Sequence, residues 1–166
     1  MDVASTASRC YELRVSHPAD LDFVFALNKT TMRPLVEVLR GWDPAKERAE
    51  MQRFFSPGFD SIIVVDAHDA GHLKVEEEAT RTHLRMIALL PKWQRQGIGT
   101  QIIRDLMHSA HARGVPLTLW VSALNHDARR LYERLGLQVK RAVDFGARGR
   151  KIEMGVWPDG TDGGGR

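Results

Sequence analysis

The chain has 166 residues, of which 43% are apolar, so it is long enough to form one domain with a substantial core. Its net charge of +3 includes no basic tail or stripe, which argues against nucleic acid as a partner. The single cysteine, Cys10, excludes an internal disulfide and a cysteine-based zinc cluster, and we expect it to be a half-buried strand residue. No apolar run is long enough to cross a bilayer, and MDVASTASRC at the N-terminus lacks the apolar core of a signal peptide. We therefore expect a cytoplasmic protein without membrane contact.

The first half of the chain predicts one strand followed by helices. YELRV alternates polar and apolar residues, which is typical of a strand, and Pro18 then begins a helix with an apolar stripe. Pro34 is predicted to begin a second helix, which Gly41 ends. Asp43 and Pro44 are predicted to cap and begin a third helix.

The second half predicts strands alternating with helices. SIIVVD, HLKVEEEAT and HLRMIALL read as three consecutive strands, with AHDAG as the turn between the first two. A helix, the strand VPLTLWVSAL, a helix capped by Asn125 and two strands joined by the GARG turn follow. This order predicts a mixed α/β sheet and not a doubly wound fold. We expect residues 1–157 to form a single domain and the tail from Pro158 to be disordered.

The segment PKWQRQGIG, residues 91–99, joins a predicted strand to a predicted helix. Glycine lets the backbone approach a ligand, and the first N–H groups of a helix lack internal partners, so this junction suits a phosphate. Ile102 stands where a dinucleotide fingerprint needs its third glycine, and no Lys-Ser or Lys-Thr pair follows, which excludes the two common nucleotide loops. The motif alone is compatible with a main-chain cradle for a diphosphate or with a glycine-rich turn that binds nothing.

A second motif, NHDARRLYERLGLQV, follows after a helix and a strand. The two motifs together resemble the GNAT superfamily of acyl-CoA-dependent N-acetyltransferases over roughly residues 60–157. Gln94 to Gly99 match the family's Gln/Arg-x-x-Gly-x-Gly/Ala loop, and Leu131 to Gly136 match its Leu-Tyr-Glu-x-Leu-Gly segment, with Leu137 where Phe is usual. The resemblance implies a mostly antiparallel sheet whose central parallel pair is splayed around CoA, flanked by about four helices.

The same resemblance implies acetyl-CoA as co-substrate and assigns residues to it. The loop would bind the pyrophosphate mainly through backbone N–H groups, and the end of the preceding strand would pair with the pantetheine arm. Two alternatives apply here: Leu89 and Leu90 also suit a plain core, and Asn125 also suits a helix cap. The implied CoA-binding residues are Leu89, Leu90, Gln94, Arg95, Gln96, Gly97, Ile98, Gly99, Thr100, Asn125 and Ala128.

The resemblance also implies a general acid. It places the hydroxyl of Tyr132 at the thioester sulfur, although the spacing of Tyr132 equally suits a core aromatic. For the base, Glu76 and Glu78 share one face of a predicted strand, with a solvated charge run as the alternative. His83 is a further candidate, and some family members use water chains.

Trp42 and Asp43 lie where the family builds its acceptor pocket. Trp42 could form a wall and Asp43 could attract a cationic amine. The alternative is a capping aspartate beside a packed tryptophan.

The sequence thus predicts an N-acetyltransferase that transfers acetyl from acetyl-CoA to a primary amine of a small molecule or protein. No metal is expected, because the seven histidines include no pair spaced i, i+4 around a glutamate. A CoA-binding regulatory module without turnover and an interaction domain that binds no CoA are the alternatives. A homodimer through an edge strand or the last strand would suit the architecture.

Overall fold

The computed structural model describes residues 10–158. In this range the strands form a single seven-stranded sheet. The strands of this range are β1 (Glu12–Val15), β2 (Ser61–Val65), β3 (His68–Glu77), β4 (Thr82–Leu89), β5 (Leu117–Ser122), β6 (Gln138–Asp144) and β7 (Arg150–Val156). Their order is β1-β2-β3-β4-β5-β7-β6. Every neighbouring pair is antiparallel except β4 and β5, so the predicted mostly antiparallel sheet with a central parallel pair is confirmed.

The helices cover both faces of this sheet. In the described range they are α1 (Leu21–Arg40), α2 (Pro44–Phe54), α3 (Ile98–Ala112) and α4 (His126–Arg134), with short 3-10 helices at Pro18–Asp20, Pro91–Trp93 and Gly146–Arg148. The larger core joins one face of the sheet to α3 and α4, through residues such as Ile102, Ile103 and Tyr132. A smaller core on the other face contains Val24 of α1 and Met51 of α2.

Helix α1 does not break at Pro34, so the prediction of a new helix there is wrong. The helix runs without interruption from Leu21 to Arg40. Proline removes one backbone donor, but the buried residues Val24 and Leu27 anchor the helix through its apolar face. Packing therefore outweighs the local preference.

The β2–β3 hairpin is tighter than predicted. Its turn consists of Asp66 and Ala67 alone, both with positive φ (50° and 60°), and His68 already pairs with Val65. Two residues of positive φ match the right-handed twist of the flanking strands. The strand expectation for Cys10 is also wrong, because Cys10 is exposed and precedes β1.

The predicted caps of α2 and α4 are both present. Asp43 accepts hydrogen bonds from the N–H groups of Ala45 and Lys46 at the start of α2. Asn125 likewise accepts from the Ala128 N–H at the start of α4. The turn between β6 and β7 is the predicted one, since a 3-10 helix spans Gly146–Arg148.

The parallel pair β4 and β5 separates soon after it begins. Register pairs exist only from Thr82 with Leu117 to Leu84 with Leu119, although both strands continue beyond them. A β-bulge accompanies the separation, because Lys74 pairs with Met86 and Val75 pairs with Leu84, which leaves Arg85 as the extra residue. Bulges bend a strand and increase its twist, so this bulge helps to open the sheet.

The structure leaves no space for a side chain at Gly71 of β3. A Cβ built there would lie 2.2 Å from the carbonyl oxygen of Ala88 and 2.9 Å from Cδ2 of Leu89. Because the nearest atom is backbone, strands β3 and β4 would have to separate. We expect Gly71→Ala to lower the free energy of unfolding by about 1–3 kcal/mol. Urea denaturation measures this loss, and Gly41→Ser, at a glycine with open space around it but a positive φ, separates steric conflict from backbone strain.

Within residues 10–158, no helix combines the length and apolar character needed to cross a membrane. The prediction of a disordered tail falls on residues 159–166, apart from Pro158, and these lie outside the described residues. The single domain proposed for residues 1–157 stays a prediction.

Candidate active site

A cleft of about 500 Å³ passes through the sheet where β4 and β5 diverge. Arg85, Met86 and Ile87 line it from β4, and residues 119–122 line it from β5. On one face of the sheet the cleft is bordered by α1 and α2, and on the other it reaches α4. Its size lies within the range of small-molecule sites in proteins.

Tyr132 forms the α4 end of the cleft. Its residue surface is 8% exposed, and its ring belongs to the larger core. Its hydroxyl has no hydrogen-bond partner among residues 10–158, and burial raises the pKa of Tyr132 to about 12. Tyr132 is therefore both a core aromatic and a protonated phenol at the cleft, so the two interpretations of its spacing are compatible.

The loop Gln94–Thr100 has the backbone geometry of an anion site. Arg95 and Gly97 both have positive φ (58° and 82°), and Gly97 is the N-cap of α3. A non-glycine residue in this conformation is strained by about 1–3 kcal/mol, and such strain concentrates at ligand sites. The side chain of Gln94 donates to the Leu89 carbonyl (2.8 Å) and that of Gln96 donates to the Lys92 carbonyl (2.5 Å), so these side chains shape the loop itself.

The start of α3 has backbone N–H groups without an intrahelical acceptor and open space beside them. The Gln101 N–H donates to the Gly97 carbonyl (2.9 Å), so the preceding amides of Ile98, Gly99 and Thr100 lack an intrahelical acceptor. A Cβ at Gly99 would meet only Cδ1 of Leu89, at 3.9 Å. Nothing in the protein requires glycine at this position, whereas a ligand that approaches the helix end would.

Leu89 and Leu90 are partly buried against the core. The Leu90 N–H donates to the Ala70 carbonyl (2.8 Å), and the Leu89 carbonyl accepts from Gln94. These two groups are thus satisfied within the protein, and the backbone of β4 between Arg85 and Ala88 offers the unpaired edge toward β5. Asn125 and Ala128 both line the cleft, in addition to forming the α4 cap.

The predicted bases lie apart from the cleft lining. Glu76 contacts Arg85 (3.5 Å), and Glu78 lies just beyond β3, where a bidentate hydrogen bond from Arg81 lowers its pKa. His83 is buried with Nδ1 2.8 Å from the hydroxyl of Thr118. Burial, and then the positive charges of Arg81 and Arg85, lower the pKa of His83. The structure brings none of the three beside Tyr132.

Trp42 and Asp43 do not line the cleft either. Asp43 is exposed and serves as the cap of α2. Trp42 is half-buried, and its indole N–H is buried without an acceptor among residues 10–158. The structure thus gives their predicted role in acceptor binding no geometric support.

The α1 and α2 side of the cleft is formed by residues that the sequence patterns did not single out. Arg40 of α1 is 2.9 Å from Glu47 and 3.2 Å from Glu50, both on α2. The hydrogen bond from Arg40 lowers the pKa of Glu50. The spacing of these residues looks like ordinary helix surface, so only the proximity of α1 to α2 reveals the cluster. Among the described residues, no group of three or more His, Cys, Asp or Glu side chains could hold a metal ion.

The sequence of residues 33–137 matches the Acetyltransferase (GNAT) family. This match spans more than half of the chain. The chain belongs to the GNAT family of acetyltransferases. A search of the curated proteins found no significant match to the sequence.

Solved structures of other GNAT proteins share the fold. Ard1 from Thermoplasma volcanium aligns with a TM-score of 0.65 at 15% identity, covering 89% of this chain and 97% of its own. The ribosomal-protein-S18-alanine N-acetyltransferase from Escherichia coli aligns with a TM-score of 0.65 at 19% identity, covering 95% and 99%. PaiA N-acetyltransferase from Thermoplasma acidophilum, in complex with coenzyme A, aligns with a TM-score of 0.65 at 14% identity, covering 87% and 98%. At these identities the likeness concerns the fold.

Proposed function

We propose that this GNAT protein is an acetyl-CoA-dependent N-acetyltransferase that acetylates a primary amine by direct attack. The observation that carries the proposal is the cleft through the sheet, which is open to α4 on one face and to α1 and α2 on the other. Donor and acceptor can then enter from opposite faces and meet at one point, which removes much of the entropic barrier. Two structural relatives support the same chemistry, because one is an N-acetyltransferase in complex with coenzyme A and another is an alanine N-acetyltransferase.

The start of α3 fits the pyrophosphate of CoA. The amides of Ile98, Gly99 and Thr100 offer donors at the positive end of the helix dipole, and Gly99 leaves space beside them. The unpaired edge of β4 between Arg85 and Ala88 can pair with the amide groups of the pantetheine arm as an added strand. The thioester would then lie in the divergence of β4 and β5, beside Tyr132.

The proposed reaction forms a C–N bond, breaks the C–S bond and moves a net proton from nitrogen to sulfur. The lone pair of the neutral amine attacks the acetyl carbonyl carbon, the C–S bond breaks, and the nitrogen loses a proton to water. The Tyr132 hydroxyl donates its proton to the departing sulfur to give CoA thiol, and Tyr132 then regains a proton from water. Arg40 pairs with both Glu47 and Glu50, so we propose neither of these two carboxylates as the base.

Binding of CoA is the first test. A ligand present at about 100 times its Kd adds about 2.7 kcal/mol to the folded state, which corresponds to a rise in Tm of about 5–10 °C for a domain of this size. We expect this rise with CoA and acetyl-CoA. Absence of any shift would contradict the proposal. A shift without release of CoA thiol from acetyl-CoA, whatever amine is supplied, would favour a regulatory module without turnover.

Variants at Gly99 test where the pyrophosphate binds. Gly99→Glu places a negative charge at the helix N-terminus, where it favours the helix but repels a phosphate, and Gly99→Gln is its uncharged control of similar size. We expect Gly99→Glu to raise the Kd for CoA about tenfold or more above that of Gly99→Gln, with similar Tm values for the two free proteins. Equal Kd values, measured by calorimetry, would place the pyrophosphate elsewhere.

A further inference from the structure

The charged side chains that line the cleft are mostly cationic. Five cations face two carboxylates there, namely Arg40, Arg53, Arg85, Arg148 and Lys151 against Glu47 and Glu50. Arg40 already contacts both carboxylates. Within residues 10–158, Arg53, Arg148 and Lys151 make no ion pair, and the 3.5 Å contact of Arg85 is with Glu76, outside the lining. Glu50 also attracts Arg148, but five cations against two carboxylates still leave the lining with an excess of positive charge.

This charge lies on the α1 and α2 face of the sheet, away from the start of α3. Ile152 and Met154 of β7 point into the core beneath α3 and α4, so strand alternation directs Lys151 to the opposite face. Arg148 belongs to the β6–β7 turn, which is seated directly on α1. A Cβ at Gly149 would lie 2.6 Å from Cδ2 of Leu39, so the turn and the helix are in close contact. None of the loop residues 94–100 lines the cleft, so this charge is separate from the proposed pyrophosphate site.

The positive groups act on one another. Burial, and then the charges of Arg148, Arg85 and Arg40, lower the pKa of Lys151. Like charges held together repel one another, and an anion placed among them relieves that repulsion. A second ammonium group placed there would increase it.

We propose that this cationic cluster selects the acceptor as a small amine that also carries a carboxylate or phosphate group, which Arg148 and Lys151 bind. The inference rests on the proposed N-acetyltransferase activity. The fork of an arginine matches a carboxylate or phosphate with two parallel hydrogen bonds, and the cleft has the volume of a small-molecule site. Polyamines are rejected by the same charge, because a second ammonium group finds no free carboxylate in the lining.

Matched pairs of amines test the proposal. β-Alanine is compared with β-alaninamide, and phosphoethanolamine with ethanolamine, so that each pair isolates one anionic group. Spermidine represents polycations, and two tripeptides that differ only in Asp or Asn at the first position represent peptide acceptors. Release of CoA thiol from acetyl-CoA gives kcat/KM for each amine. Binding of each amine to the CoA-saturated protein, measured by calorimetry, provides a readout that needs no turnover.

The double variant Arg148→Gln/Lys151→Gln removes two of the five positive charges of the lining with little change in volume. Arg150→Gln is the matched control, because Arg150 lies between these two positions but does not line the cleft. We expect the wild type and Arg150→Gln to prefer the anionic member of at least one small-molecule pair by about tenfold or more in kcat/KM. In the double variant this preference should fall to about twofold or less, with an unchanged KM for acetyl-CoA.

The two small-molecule pairs separate the possible anions, because a preference in one pair alone identifies carboxylate or phosphate. Three outcomes would each overturn the inference. They are a preference for spermidine, equal kcat/KM and binding within both pairs, and a preference that persists in the double variant. A preference confined to the peptide pair would overturn its small-molecule part. All of these outcomes differ from failure of the proposed function, in which CoA gives no thermal shift and no amine releases CoA thiol.

Discussion

Replacing Tyr132 with phenylalanine is expected to lower kcat about 10²–10³-fold, within the range contributed by a positioned general acid. The substitution removes only the hydroxyl. The ring, which packs in the larger core, remains, so the fold and the affinity for CoA should change little. Steady-state kinetics at saturating acetyl-CoA and amine, together with calorimetric binding of CoA, measure the two effects separately.

The second tyrosine of the chain provides the control. The Tyr11 hydroxyl donates to Asp105 at 2.6 Å, away from the cleft lining, so Tyr11→Phe removes the same group without affecting turnover. Because burial raises the pKa of Tyr132 to about 12, ionisation of this phenol should not limit activity below about pH 10. An unchanged kcat in Tyr132→Phe would exclude the role as general acid and leave Tyr132 as a core residue.

Replacing Asp60 with asparagine is expected to lower the free energy of unfolding by about 3–5 kcal/mol, the usual cost of removing one partner from a buried ion pair. Asp60 is 2% exposed, and its carboxylate lies 2.9 Å from Nε2 of His72 and 3.2 Å from Nζ of Lys74. Lys74 also donates to the Phe54 carbonyl and to the Ser56 hydroxyl. The substitution leaves a nearly buried ammonium group without its counter-charge.

The exposed pair of Asp22 and Arg48 supplies the comparison, and Asp22→Asn should cost less than about 1 kcal/mol. In the double variant Asp60→Asn/Lys74→Met, both charges are absent, so its loss should be smaller than the sum of the two single losses. Urea denaturation of the wild type, Asp60→Asn, Lys74→Met, the double variant and Asp22→Asn measures these differences. A loss below about 1 kcal/mol in Asp60→Asn would show that the buried pair contributes little.

The same carboxylate makes stability depend on pH. Burial acts to raise the pKa of Asp60, but hydrogen bonds from His72, the Ser56 N–H and Lys74 outweigh it, so the pKa is lowered. A lowered folded pKa contributes stability above the unfolded pKa, which is about 3.9, and loses it as the pH falls further through the folded value. The difference in stability between wild type and Asp60→Asn should therefore be full near neutral pH and shrink below about pH 4.

Features of the fold that depend on neighbouring residues were predictable from the sequence. The cap of α2 by Asp43 and the cap of α4 by Asn125 need only the residues that follow them, and both are present. The break at Pro34 was wrong because packing of α1 on the smaller core is a tertiary effect. Alternation placed Glu76 and Glu78 on one face of a predicted strand, but Glu78 lies beyond the end of β3. The pattern also could not predict that Arg85 and Arg81 would pair with these two carboxylates.

The sequence by itself determined the family and the place of the loop at the start of α3, because the glycines, the cap and the helix that follows are contiguous in the chain. Only the tertiary structure decided the charge of the cleft between β4 and β5. Its charge comes from α1, α2, β4 and the β6–β7 region, and no periodicity links positions as distant as Arg40, Arg85 and Lys151. The electrostatic potential depends on distances in the folded protein and not on separation along the chain. The cationic cleft therefore forms only because the sheet opens between β4 and β5 and the β6–β7 turn contacts α1.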